Sequence, residues 1–304
     1  ANVVKEMYRH IYKCVSIRKK IWYEFQNHRW VQIEDGHTLS EKISDDVANQ
    51  FLKMHSRTAL KAEQLGNIEG DDMIKMSVKL LDIYRKLKDI KFKQNLMVAC
   101  ANKFYDKKFE EKLDANIYLL GFDNGIYDFE TLCFRDGMPD DYVTFSVGYD
   151  YKEYKKDDPI IRDLKRYFET VQQNEEMREY VLKLLSTYLI GSAKDQKFII
   201  WTGVGSNGKS LTVELIRKTL GDYFGTMEAS ALTQKRKGSS GPTPELANKR
   251  GKRFVVIQEP EHNDTVYVGQ MKQLTGCDTI ETRALYGDPF TFKPQFKLIL
   301  TCNK

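Results

Sequence analysis

The run Gly203-Val204-Gly205-Ser206-Asn207-Gly208-Lys209-Ser210 follows the pattern G-x-x-x-x-G-K-[ST], and nothing else in the chain constrains its fold as strongly. Lys197-Phe198-Ile199-Ile200-Trp201, just upstream, reads as a buried strand, and Leu211, Leu215, Ile216 and Leu220 recur downstream at helical spacing. A strand that feeds a glycine-rich turn opening a helix aims successive backbone N–H groups, and the positive end of the helix dipole, at one anion. The loop therefore predicts a nucleotide site running from Gly203 and Val204 through Gly205, Ser206, Asn207, Gly208, Lys209 and Ser210 to Leu211. Lys209 is placed to meet the β and γ phosphates, and the Ser210 hydroxyl to ligate Mg²⁺.

The rest of the chain must supply a sheet for that loop. With 304 residues, 41% of them hydrophobic, it can bury one or two cores. No apolar run is long enough to cross a bilayer, which argues against a membrane partner. The chain opens at Ala1 without a charged-then-apolar leader, so secretion is not indicated, and the missing initiator Met points to a fragment or a processed product. Cys14, Cys100, Cys133, Cys277 and Cys302 are odd in number and never spaced C-x-x-C, as expected of a reduced, intracellular protein without a zinc site. The five histidines show no ligand spacing either. A formal charge of +5 is mild, but the cations cluster in Lys235-Arg236-Lys237 and in Lys249-Arg250-Gly251-Lys252-Arg253. Phosphate attraction and a solvated loop explain the first cluster equally well, whereas the second leads into a strand.

Three regions separate along the chain. Residues 1 to about 110 are mostly helical, interrupted at Trp22 to Ile33 by alternating aromatics around a turn, as in a β-hairpin. Leu39, Ile43, Val47 and Phe51 step by four, and Met76, Leu80, Leu81 and Tyr84 repeat the core stripe. Residues 117–150 change to short β segments around the turn at Asp123-Asn124-Gly125. Residues 159–190 read as helical again, with Met177, Tyr180, Val181, Leu184, Leu185, Tyr188 and Leu189 on one face, closed by Gly191-Ser192-Ala193.

Beyond the loop, Phe254-Val255-Val256-Ile257-Gln258-Glu259 is an apolar strand ending in a carboxylate, and Lys297-Leu298-Ile299-Leu300-Thr301 leads into Cys302-Asn303. An acid delivered beside a P-loop strand serves the Mg²⁺ or the attacking water, and an amide arrives at the same end of the sheet. Between these strands runs Leu274-Thr275-Gly276-Cys277-Asp278-Thr279-Ile280-Glu281-Thr282-Arg283-Ala284-Leu285-Tyr286.

With that segment the chain resembles a superfamily 3 helicase of the poxvirus-type primase-helicase family, found in large DNA viruses and some phages and mobile elements. The four ordered motifs of the family correspond to residues 203–210, 254–259, 274–286 and 297–303. Upstream, Phe122 to Thr131 follows the N-G-[VI]-x-D-[LF]-x-T pattern of the region that precedes the helicase, and the Trp22 to Trp30 hairpin fits as well. The resemblance implies an α/β fold: a P-loop AAA+ parallel sheet core at 193–304, in the order 5-1-4-3-2, behind a mostly helical domain at 1–192 whose β portion lies at about 117–150. The chain would stop after strand 4, leaving the P-loop strand a bare edge, with the fifth strand, the arginine finger and an upstream primase domain beyond it.

Two positions depart from the family pattern. Gln258 stands where a first acid is common, so Glu259 is left to activate water and to touch the metal at most through water, with Glu261 a weaker candidate. Cys277 replaces the second glycine of the signature, which implies a backbone there without positive φ. The resemblance then implies an ATP- and Mg²⁺-dependent replicative DNA helicase, a homo-oligomeric ring (a hexamer) translocating 3′ to 5′ on single-stranded and fork DNA, in the host cytoplasm or at the replication site of a DNA virus. Lys209, Glu259 and Asn303 are its catalytic candidates. Arg283, Tyr286 and Lys293 on a hairpin within 284–296 are its DNA grip, built from strands Thr282–Leu285 and Thr291–Lys293. The alternative is a P-loop kinase or other small-substrate phosphotransferase.

Overall fold

The computed structural model describes residues 1–65, 68–205, 207–233, 243–258, 265–285 and 287–303. Its contacts divide the chain into two compact units, Ala1–Leu113 and Asp114–Lys304.

In the first unit, α1 (Asn2–Tyr8) precedes an antiparallel meander of β1 (Tyr12–Ser16), β2 (Ile21–Gln26) and β3 (Arg29–Glu34). The aromatic run is the predicted hairpin: Trp22 pairs with Ile33 and Phe25 with Trp30. Asn27 and His28 turn the chain at φ 48° and 67°, the left-handed pair that a two-residue hairpin loop requires. Trp30 is 1% exposed and meets the Phe109 ring edge-on at 4.8 Å. Next come α2 (His37–Lys42), a π-helical turn at Ile43–Val47, α3 (Ala48–Leu65), α4 (Ile68–Lys88), α5 (Ile90–Phe104) and α6 (Phe109–Lys112). Leu39, Ile43 and Val47 are buried with Tyr12, Trp22, Cys100 and Phe104, and Phe51 packs on them. The second stripe is set differently from the sequence expectation. Met76 is 53% exposed, while Ser77, Leu80 and Leu87 face inward. Ser77 has a polar partner in α3, since its hydroxyl lies 2.7 Å from His55 Nδ1, so a residue that hydropathy discounts takes the inner position.

The second unit opens with the antiparallel strands β4 (Leu119–Phe122), β5 (Gly125–Asp128) and β6 (Cys133–Arg135), turning at Asp123-Asn124 as anticipated. Residues 159–190 are two helices rather than one, α7 (Pro159–Val171) and α8 (Glu175–Ser186), with a 3-10 turn at Thr187–Leu189. The polar run Gln172 to Glu176 interrupts the apolar spacing, Asn174 caps α8 by accepting from the Met177 N–H, and Met177 and Tyr180 remain about half exposed.

There follow β7 (Phe198–Gly203), α9 (Lys209–Leu220), β8 (Phe224–Met227), α10 (Ser230–Thr233), α11 (Pro244–Ala247), β9 (Phe254–Gln258), α12 (Val268–Thr275), β10 (Ile280–Arg283), β11 (Pro289–Phe292) and β12 (Lys297–Asn303). Four of these strands make one sheet in the order β7-β12-β9-β8, every neighbouring pair parallel. In chain order that is first, fourth, third, second, the sequence expected of these four strands. Val255, Val256, Ile257, Leu298 and Ile299 are completely buried, as the central strands of a parallel sheet must be.

By compactness the chain divides at residue 113, and the boundary at 192 read from the sequence lies inside the second unit. The β4–β6 region shares its core with the parallel sheet: Leu120, Val147 and Tyr188 pack with Val213, Ile216, Phe254, Val256 and Ile299. Polar pins reinforce the union. The Arg253 guanidinium, 1% exposed, donates to the Leu119 and Leu189 carbonyls and lies 4.4 Å from the centre of the Tyr223 ring. The Tyr223 hydroxyl accepts from the Gly121 N–H at 2.9 Å, and Lys297 Nζ donates to the Thr187 carbonyl at 3.0 Å.

Candidate nucleotide site

β7 ends at Gly203 and α9 starts at Lys209, so the predicted loop joins strand to helix as its sequence demands. Gly208 caps the helix at φ 81°, a left-handed conformation that suits glycine, and a Cβ there would lie 2.8 Å from Val171 Cγ2. At Gly203 the fit is tighter: a Cβ would come 1.6 Å from the Asn207 Nδ2, so the Asn207 amide occupies the space a side chain would need. The helix is held from below by Thr212, Val213, Ile216 and Leu220. Its first intrahelical bond runs from the Thr212 N–H to the Gly208 carbonyl at 2.9 Å. The N–H groups of Lys209, Ser210 and Leu211 belong to the first turn, which has no intrahelical acceptor for them, and the positive dipole end lies there too.

Lys209 Nζ gathers the site. It donates to the Gly203 carbonyl at 3.3 Å, to Asn207 Oδ1 at 3.1 Å and to Asn303 Oδ1 at 3.1 Å. The meeting with Asn303 follows from strand register: in the parallel pair, Asn303 of β12 stands opposite Gly203 of β7, and Cys302 opposite Thr202. On its other side β12 pairs Thr301 with Gln258, so β9 ends level with the same edge. A cavity of about 400 Å³ opens between the α9 N-terminus and the end of β12, lined by Gly205, Asn207, Lys209, Ser210, Thr301 and Asn303 among others. That size and that donor set suit a polyphosphate: backbone N–H groups, one ammonium, one hydroxyl and one amide. Ser210, expected as a cation ligand, borders the same cavity, and among the described residues no group of three His, Cys, Asp or Glu side chains is arranged to hold a metal.

Several expected residues do not enter this picture. Ser206, Glu259, Glu261, Tyr286 and the basic run Lys235-Arg236-Lys237 lie outside the described residues. The hairpin expected between signature and final strand exists, but its strands are β10 and β11, which pair Ile280 with Phe292 and Arg283 with Pro289. Each is shifted by two residues or fewer from the sequence estimate because Ile280 and Phe292 are the buried anchors that set the register. Arg283 thus closes the paired part and Lys293 directly follows β11 as an exposed residue; neither lines the cavity of Lys209. Gly276 has φ −74°, and Cys277 is not among the described residues with positive φ, in keeping with the departure at that position. The second basic cluster does lead into a strand, and its cations are spent inside the fold. Lys252 donates to the Asp222 carbonyl and lies 4.8 Å from the Phe145 ring centre, and Arg253 is buried.

Two contributors escaped the sequence reading. Thr212, two residues beyond the motif, was hidden in the helix stripe, though a hydroxyl among Leu211, Val213 and Ile216 is the kind of signal that marks such a residue. Tyr167 of α7 also reaches the loop, through its hydroxyl, and no local pattern announces it.

Comparison with known proteins places the chain at the level of family. Residues 1–173 match the family described as "D5 N terminal like", and residues 201–304 match a family of unknown function, DUF5906. An Acanthamoeba polyphaga mimivirus protein named "Putative helicase" is 40% identical over 304 residues, covering all of this chain and 32% of the relative. A frog virus 3 protein, also named "Putative helicase", is 24% identical, with all of this chain and 41% of the relative covered. An African swine fever virus protein named "Putative primase" is 21% identical over 70% of this chain and 22% of its own length. The chain thus spans well under half the length of these relatives. Among solved structures, the apo NrS-1 C-terminal region aligns at TM-score 0.40 with 16% identity over 50% of this chain and 35% of the other. The described helices include none long and apolar enough to cross a membrane.

Proposed function

The chain belongs to the D5 N terminal like family, whose relatives here are named helicases and primases of large DNA viruses, and on that premise we propose that it carries the ATP-driven motor of a replicative DNA helicase. The observation that carries the reading is the 3.1 Å contact between Lys209 and Asn303, which joins two motifs 94 residues apart at the mouth of one anion-binding helix. In this reading residues 193–304 of the second unit are a superfamily 3 AAA+ core. It works on single-stranded and fork DNA in a homo-oligomeric ring, a hexamer, alongside a primase domain.

ATP with Mg²⁺ supplies the phosphoanhydride whose cleavage drives the motor. The first-turn N–H groups of α9 bind its phosphates, Lys209 neutralises charge on the β and γ groups, and Ser210 ligates the cation. Asn303, at the end of a rigid central strand, orients the groups around the terminal phosphate. Glu259, the residue directly after β9, takes the proton of the attacking water by virtue of its position in the chain. Arg283, Tyr286 and Lys293 of the β10–β11 hairpin grip the DNA backbone. The phosphotransferase alternative gains nothing from the relatives, whose names are those of helicases and primases.

Steady-state ATP hydrolysis with and without single-stranded DNA tests the proposal. Wild-type turnover is expected to rise with DNA, Lys209→Ala to abolish it, and Asn303→Ala to lower kcat with little change in KM. DNA-independent turnover, or phosphate transfer to a small acceptor, would refute the motor assignment.

A further inference from the structure

The loop that grips the nucleotide is braced from outside its own motif. The Tyr167 hydroxyl of α7 lies 2.7 Å from Thr212 Oγ1 and 3.3 Å from the Gly208 carbonyl oxygen, while Thr212 Oγ1 lies 2.9 Å from that same oxygen. Three contacts share two hydroxyl protons, so at most two can be made at once. The short pair of distances selects one arrangement: Tyr167 donates to Thr212 Oγ1, and Thr212 donates to the Gly208 carbonyl. That carbonyl also accepts the Thr212 N–H at 2.9 Å, so both of its lone pairs are engaged. Val171, one turn on from Tyr167 in α7, presses on the bare face of Gly208.

The peptide bond turns this into a statement about the ligand. The Gly208 carbonyl and the Lys209 N–H belong to one planar trans unit and point in opposite directions. Fixing the carbonyl toward Thr212 and Tyr167 fixes the Lys209 N–H outward, at the phosphate position. We propose that Tyr167 is a positioning residue for nucleotide binding, acting through Thr212 and the 208–209 peptide, so that α7 sets the geometry of the phosphate grip. This rests on the nucleotide reading of the loop. It goes further by assigning a role to a residue that lies 36 positions before the motif.

The test is a double-mutant cycle on the full chain: wild type, Tyr167→Phe, Thr212→Val and the double variant. The probe is a fluorescent N-methylanthraniloyl ATP with Mg²⁺, and the readouts are its dissociation constant and the melting temperature of the unliganded protein. Loss of one neutral hydrogen bond predicts a dissociation constant raised about two- to tenfold in Tyr167→Phe. Thr212→Val is expected to be at least as weak, and the double variant no weaker than Thr212→Val, because the two hydroxyls act in series. The unliganded melting temperature of Tyr167→Phe stays at the wild-type value. Wild-type affinity in Tyr167→Phe, or additive losses in the double variant, would overturn the brace. So would a fall in affinity accounted for by lower unliganded stability. Lys209→Ala separates the two levels of the argument: if it binds the probe as tightly as wild type, the nucleotide reading fails and the brace with it, whereas loss of binding there with an unaffected Tyr167→Phe refutes the brace alone.

Discussion

Arg253 offers the sharpest quantitative test of how the second unit is built. Its guanidinium reaches two carbonyls that belong to different segments, Leu119 in β4 and Leu189 in the turn after α8, from a side chain at the start of β9. A planar fork suits two separate acceptors, whereas an ammonium on a single stem is a point charge. Replacing Arg253 with Met keeps most of the bulk and removes the cost of burying a charge, but strands both carbonyls in a core that excludes water. Each lost partner costs about 1–3 kcal/mol, and the lost contact with the Tyr223 ring about 1–2 kcal/mol more. Relief from burying the ion, several kcal/mol in typical cases, offsets part of this. A net loss of about 3 kcal/mol is expected, with Arg253→Lys falling between Met and wild type. Hydrogen exchange read by mass spectrometry locates the effect: peptides covering 119–128, 254–258 and 297–303 are expected to lose protection by the same amount. Should 119–128 open while the parallel strands keep their protection, or should the loss be below about 1 kcal/mol, the view that β4–β6 and the sheet are one cooperative unit is wrong.

Three further outcomes follow from particular contacts. Burial pushes the Glu24 carboxyl up, but hydrogen bonds from Tyr12, Thr38 and Lys42 outweigh it and hold its pKa below the ordinary 4.5. A depressed folded value means that its contribution is complete above pH 4.5 and is lost as pH falls through the folded pKa. Protection of peptides spanning 21–34 is therefore expected to drop in acid, and Glu24→Gln to flatten that dependence; an unchanged pH profile in Glu24→Gln would contradict the network. Gly208→Ala places a Cβ at φ 81° beside Val171, a backbone cost of about 1–2 kcal/mol before any clash, so Mg²⁺-ATP binding should be lost in calorimetry, and retained affinity would show that the loop does not need this conformation. If Lys293 contacts a DNA phosphate, Lys293→Ala lowers the slope of log K against log salt for single-stranded DNA by about 0.7, and an unaltered slope moves the contact elsewhere.

The strand-to-helix loop after Gly203 was legible because a tight glycine-rich turn needs glycines at fixed positions, and that chemistry is local. Strands β9 and β12 were legible for a related reason: a strand buried on both faces is a run of apolar residues, whatever its neighbours. The same kind of run marked β7, but that strand sits at the sheet edge with Ile200 51% exposed, so the buried strand expected at 197–201 is only half-covered. What stayed hidden depends on contacts between distant segments. Ser77 takes a core position because His55 waits across from it, and hydropathy alone points to Met76 instead. The break at 172–174 lies in the polar run Gln172 to Glu176, which the sequence reading spanned with one helical segment, and Asn174 caps the helix that follows. The union of residues 119–189 with the parallel sheet is reinforced by Arg253, Tyr223 and Lys297, three polar residues whose partners lie 64 to 134 positions away, which no window along the sequence contains. The Lys209–Asn303 contact lay between these extremes, since both ends were marked and only the strand register was needed to join them.

The order of the parallel strands also dictates a schedule. β8 and β9 are neighbours in the sheet and about thirty residues apart, so they can pair early. β7 pairs with β12, and Ile199 must wait for Ile299, one hundred residues later. At synthesis rates of about 5–20 residues per second, that delay is roughly 5–20 s. During it β7 and the loop it carries have emerged without their partner, and α9 can form from local contacts while its strand cannot. The part of the molecule most readily recognised in its sequence is thus among the last to be set in place, and a nascent chain is expected to bind Mg²⁺-ATP only once β12 has left the ribosome.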